Sequence, residues 1–146
     1  MITIDELKVL LDNKSRLLGV DMGAKRIGIS VCDENRKIAT PYDTIQFKNI
    51  KNLTSSLQKI ISENGIKGIV FGLPLNMDGS EGRSAQSVKD RIKLISKEIN
   101  IPQIYWDERL STSGSFNLSS QLDINVSKKL KYIDQNSATF ILQGVL

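Results

Sequence analysis

Four short apolar runs constrain this chain more than any other feature: Arg16 to Val20, Ile27 to Cys32, Lys67 to Gly72 and Ile104 to Trp106. A short apolar run bounded by turn formers has the profile of a strand buried on both faces. The stretches between them keep a different period. Ile50, Leu53, Leu57, Ile60 and Ile61 fall at helical spacing over 49–64, with Asn64-Gly65 as the stop. Ala85, Val88, Ile92, Ile95 and Ile99 predict a second helix over 84–100, ended before Pro102. Asp33 to Arg36 reads as a turn joining 27–32 to 37–40, an antiparallel hairpin that follows the first strand and is closed by Pro41, with a short extended piece around 42–47. A helix over 3–12 opens with Thr3 and Glu6 at capping-box spacing. Ala138, Ile141, Leu142 and Val145 mark a last amphipathic helix with Asp134 at its start, and residues 111–130, rich in Ser and Asn, read as a loop. The order β-β-β-α-β-α-β-α predicts an α/β fold: a mixed sheet with an N-terminal antiparallel hairpin and helices on both faces.

Size and composition narrow the chemistry. The chain has 146 residues, the size of a single domain, with 1–15 as a helical N-terminal extension. One cysteine, Cys32, forms no internal disulfide, and with no histidine there is no zinc-ligand cluster. This fits a reducing cytoplasm. The absence of histidine also excludes Ser-His and Cys-His nucleophile pairs. Hydrolysis would fall to carboxylates, lysine or a metal-bound water. Twenty Lys and Arg against 16 Asp and Glu leave +4, a mild lean toward polyanions that an ordinary basic surface explains equally well. No apolar run reaches the ~18 residues of a membrane span, and Asp5, Glu6 and Lys8 make the N-terminus unlike a signal peptide.

Three acids stand where such a fold puts its chemistry. Asp21 ends the first strand within Gly19-Val-Asp-Met-Gly23, and Asp107-Glu108-Arg109 follows the strand at 104–106. Open α/β sheets bind ligands beyond the carboxyl ends of their parallel strands. Lys25 and Arg26 follow Asp21 closely enough to lie against a phosphodiester backbone; a plain hairpin with Asp as a turn residue is the alternative. Ser80, Arg83 and Ser84 open the 84–100 helix, whose N-terminal amides suit phosphate, although Ser84 also suits a cap. If Trp106 faces the core, alternation sends Asp107 to the opposite face and Glu108 back to Trp106's side. Both acids therefore do not serve one site, but alternation ends with the strand and does not choose between them. An Arg109–carboxylate pair in a solvated loop explains this segment too. Asp134, taken alone, reads as an acid favoured by a helix dipole.

Four stretches together resemble the YqgF family, also called RuvX, of Holliday-junction-resolvase-like nucleases. They are Gly19-Val-Asp-Met-Gly-Ala-Lys-Arg-Ile-Gly-Ile-Ser, Val70-Phe-Gly-Leu-Pro-Leu-Asn-Met-Asp-Gly-Ser, Asp107-Glu-Arg-Leu-Ser-Thr and Asp134-Gln-Asn-Ser-Ala-Thr-Phe-Ile-Leu. They keep the family's order and span about residues 16–146. The resemblance implies a ribonuclease-H-like fold. It also implies a nuclease, a hydrolase acting on ester bonds, that matures the 5′ end of the small-subunit ribosomal RNA precursor. It implies Asp21, Glu108 and Asp134 as catalytic and metal-holding acids, thus preferring Glu108 to Asp107 and a ligand to a cap at Asp134. Substrate contacts are expected from Gly23, Lys25, Arg26, Arg83, Arg109, Ser111 and Thr112. Where the family continues as a helix, Ser113-Gly114-Ser115 lowers helix propensity, so the substrate loop is expected to differ.

Mg²⁺ or Mn²⁺ suits an all-oxygen ligand set, and two such ions would activate water and stabilise the leaving oxygen. Clustered carboxylates repel one another without metal, so binding is expected to weaken as pH falls. Partners are then nucleic acid, either precursor ribosomal RNA or branched DNA, with the protein a monomer or weak homodimer. Three rivals stay open. A non-catalytic nucleic-acid-binding module would bind with salt dependence and no turnover. A DNA junction resolvase would need two symmetric sites. An actin-like nucleotide-binding domain shares Asp-x-Gly before a hairpin, but closes two domains around its ligand where this chain supplies one.

Overall fold

The computed structural model describes residues 1–12, 14–110 and 126–146, apart from the side chains of 110 and 126–135. Five strands form one sheet: β1 (Arg16–Met22), β2 (Arg26–Cys32), β3 (Ala39–Gln46), β4 (Ile66–Leu73) and β5 (Gln103–Asp107). Their spatial order is β3-β2-β1-β4-β5. β1, β4 and β5 run parallel, while β2 and β3 run antiparallel to their neighbours. The described helices are α1 (Ile4–Leu10), α2 (Ile50–Asn64), α3 (Arg83–Ser96) and α4 (Val126–Val145), with a 3-10 turn at Glu108–Leu110.

Alternation along the strands divides the core in two. Leu18, Val20 and Met22 of β1 join Ile69 and Phe71 of β4 beneath Leu53, Leu57 and Ile60 of α2 and Ala85, Val88, Ile92 and Ile95 of α3. Leu17, Val70 and Ile104 face the other way, against Ile141, Leu142 and Val145 of α4 and Leu7 of α1. Helices on both faces are as expected from the sequence.

Four local expectations need correction. Pro41 does not close the hairpin, because β3 continues to Gln46. A proline is tolerated there because β3 is an edge strand, and the register shifts beside it: Ile29 faces Asp43 but Ser30 faces Pro41. Ser84 does not cap α3; Gly82 occupies that position, and no side chain caps the helix end. Within the stretch expected as a loop over 111–130, α4 already begins at Val126, while 111–125 lie outside the described residues. Asp134 consequently stands in the third turn of α4 and not at its start, which removes the dipole argument for it.

Candidate active site

Asp21 is the penultimate residue of β1, half-buried where that strand leaves the sheet. Alternation puts it on the α4 side of the sheet with Leu17 and Gly19. Gly23 then reverses the chain: its N–H donates to the Asp21 carbonyl at 3.1 Å, and a Cβ on it would collide with the Arg26 carbonyl. The turn therefore tolerates no side chain at that point. Lys25 is exposed in the turn, and Arg26 is half-buried at the start of β2.

Glu108 reaches the same region from the other side of β4. Trp106 packs with the α4-side core, and Glu108, two residues on, returns to that side as alternation anticipated. Gly72 of β4 lies between the two acids. It pairs with Trp106 of β5, and it continues the register in which Phe71 faces Val20 of β1. A Cβ at Gly72 would collide with the Ile141 side chain and lie 3.6 Å from the Glu108 carboxyl carbon. The missing side chain leaves room for the end of Ile141 and beside the Glu108 carboxyl.

Asp21 and Glu108 line one cleft of about 420 Å³ with Gly23, Pro74, Arg83, Ser84, Ser87 and Arg91. Two carboxylates thus share a wall, while α3 contributes cations and hydroxyls. No group of three potential metal ligands occurs among the described residues. The side chain of Asp134 lies outside them, as do Ser111 and Thr112 entirely. The donor set that is described fits a hard divalent cation, since oxygen carboxylates without His or thiolate suit Mg²⁺ or Mn²⁺.

Asp107 is engaged elsewhere. Arg109 donates to both of its carboxylate oxygens, from Nε at 3.0 and 2.9 Å and from Nη2 at 2.5 Å. This bidentate bond holds the Asp107 carboxyl below the usual carboxylate range. Nη1 of Arg109 also donates to the Met77 carbonyl at 3.0 Å, tying the loop after β4 to the end of β5. Arg109, expected to contact substrate, is thus also a structural clasp. The Asp78 carboxylate accepts from the Ser80 backbone N–H and hydroxyl within that loop, a turn role.

Arg91 was missed in the sequence. Its Nη1 donates to the Gly23 carbonyl at 2.8 Å and its Nη2 to the Met22 carbonyl at 3.0 Å. The available signal was a polar row on α3, Ser84, Ser87 and Arg91, running beside the apolar stripe at helical spacing.

A family model described as RuvX, Holliday junction resolvase, matches residues 15–146. The chain belongs to the RuvX family. A relative from Pelagibacter ubique (strain HTCC1062), named "Putative pre-16S rRNA nuclease", is 58% identical over 146 residues, covering 100% of this chain and 97% of its own. One of the same name from Cereibacter sphaeroides is 41% identical over 144 residues, covering 99% and 90%. Among solved structures, Thermus thermophilus RuvC in complex with a Holliday junction substrate superposes with a TM-score of 0.55 at 9% identity, over 90% of this chain and 93% of that one. At that identity the likeness speaks to fold alone, and it makes the RuvX chain ribonuclease-H-like, as the family resemblance implied. Among the described residues, no helix of this RuvX chain is long and apolar enough to cross a membrane.

Proposed function

We propose that this chain is a single-domain, metal-dependent nuclease that hydrolyses phosphodiester bonds in the precursor of small-subunit ribosomal RNA, in the cytoplasm. The observation that carries the reading is that Asp21 and Glu108, 87 positions apart in sequence, line one cleft across the side-chain-free Gly72. The names of the relatives from Pelagibacter ubique and Cereibacter sphaeroides point to the substrate.

Asp134 is the third acid in this reading, and the course of α4 supports it. Val145 and Leu146 lie beside Leu17 near the start of β1, whereas the Ala138 carbonyl approaches Gly19 and accepts from the Ser30 hydroxyl at 2.7 Å. Moving toward the N-terminus of α4 therefore moves along β1 toward Asp21. Four helical residues rise ~6 Å, close to the ~6.6 Å spanned by two strand residues. Position 134 is one such step beyond Ala138, as Asp21 is one such step beyond Gly19.

A divalent cation, Mg²⁺ or Mn²⁺, held by these carboxylates would supply a lowered pKa for a bound water and charge stabilisation on phosphoryl oxygens. The chain's own groups do the rest. Arg83 and the hydroxyls of Ser84 and Ser87 lie across the cleft from the acids, where they hold a phosphate in place without reading bases. Lys25, exposed on the turn after β1, extends that contact along the backbone, with Arg26 beside it. With no histidine in the chain, proton transfer at neutral pH falls to these carboxylates and to solvent.

The test is cleavage of precursor ribosomal RNA and four-way junction DNA side by side, with Mn²⁺ or Mg²⁺, comparing the native chain with Asp21→Asn. RNA cleavage that Asp21→Asn abolishes supports the proposal. Preference for junction DNA, with activity rising on dimerisation, would make the protein a resolvase. Binding without turnover would make it a non-catalytic module. Unchanged cleavage by Asp21→Asn overturns the assignment of the site.

A further inference from the structure

The last paired residues of the β1–β2 hairpin are Met22 and Ile27, so the Met22 and Gly23 carbonyls lie at the mouth of the turn. Arg91 reaches them from the layer of α2 and α3, with one Nη on each carbonyl. Its guanidinium carbon lies 5.5 Å from the ring centroid of Phe47, and the Phe47 N–H donates to the Lys25 carbonyl at 2.9 Å. The cation–π pair and these three bonds hold both sides of the turn that follows Asp21. This arrangement has a cost. Burial draws the Arg91 pKa down, and its buried Nε has no hydrogen-bond partner. A neutral side chain of similar length would fill the space without that cost, but only a planar fork spans two consecutive carbonyls.

We propose that Arg91 is a positioning residue that sets the Asp21 turn and thereby the affinity of the cleft for a divalent cation. The inference rests on the metal-dependent reading of the cleft. It makes a prediction opposite in sign to that of simple charge. Removing a cation from the cleft lowers the local positive potential, so Coulomb's law alone predicts tighter Mn²⁺ binding in Arg91→Met. Loss of positioning predicts weaker binding, because partners that orient metal ligands typically contribute ~10–100-fold to affinity.

Mn²⁺ would be titrated against the full chain by the electron paramagnetic resonance signal of the free ion, with near-ultraviolet circular dichroism to verify folding. The expected result is at least ~10-fold weaker Mn²⁺ binding in Arg91→Met. A several-fold loss is expected in Arg91→Lys, which keeps the charge but not the fork. Equal or tighter binding by folded Arg91→Met overturns the proposal. If that variant does not fold, Arg91→Lys decides, and native-like affinity there overturns it. Wild-type protein that binds no Mn²⁺ overturns the metal reading and this inference together. Wild-type binding that the folded variants leave intact overturns this inference alone.

Discussion

Asp107 and Glu108 are neighbours in sequence with different expected consequences. Glu108 lines the cleft with Asp21, whereas Asp107 is taken up by the Arg109 fork. Glu108→Gln and Asp21→Asn should each reduce metal-dependent RNA cleavage by more than the ~10–100-fold typical of residues that merely orient a metal's ligands, with thermal stability retained. Asp107→Asn should keep most of the activity, and comparable loss in all three variants would erase the distinction. Asp107 also carries a pH dependence. Its carboxyl titrates below the ordinary value in the folded protein because Arg109 binds the charged form. The stabilisation is therefore present above about pH 4, the unfolded value, and is lost as pH falls through the lowered folded value. The pair is partly solvent-exposed, so its contribution falls within the ~0–1 kcal/mol of surface pairs. Urea denaturation of wild type and Asp107→Asn should differ slightly at pH 6, and the difference should shrink as pH falls below about 4. The competition between the two acids was unreadable locally, since alternation ends with β5 and the Arg109 bonds form only once the chain turns.

At the scale of elements, the seating of α4 on the sheet governs the site. Gly19 permits its approach, since a Cβ there would meet the Ala138 carbonyl and the Leu142 Cβ, and Gly72 leaves room for the end of the Ile141 side chain. Gly72→Ala should destabilise the fold by ~1–3 kcal/mol through overpacking, as measured by the urea midpoint. It should also reduce cleavage, because the added methyl lies beside the Glu108 carboxyl. Full activity in that variant would show that the space between the acids is not used. The hydrophobic period made α2, α3 and the apolar stripe of α4 legible in advance, because a helix buries a face that repeats locally. The N-terminal half of α4 was not legible. Val126, Leu130 and Ile133 do stand at helical spacing there, but the cluster of Lys128, Lys129 and Lys131 after a Ser- and Asn-rich stretch reads as loop.

For the whole molecule, the number of phosphates its cations neutralise, more than the net +4, sets how binding responds to salt. Lys25 and Arg83 are exposed around the cleft, so each that neutralises a phosphate contributes roughly −0.7 to the slope of log affinity against log salt on single-stranded RNA. Lys25→Ala should make that slope shallower by about this amount, measured by filter binding between low and physiological salt, and an unchanged slope removes Lys25 from the interface. The strand and helix order, the two-faced core and the candidacy of Asp21 were determined by the sequence itself. They depend on hydrophobic period and on glycines adjacent to a strand end, which are properties of neighbouring residues. The place of β1 between β2 and β4, the continuation of β3 through Pro41 and the fork of Arg91 on the Asp21 turn were decided only by the tertiary structure. So was the meeting of Asp21 with Glu108 across Gly72. Each depends on which distant segments become neighbours, and a strand's period records which residues share a face, not which strand lies alongside.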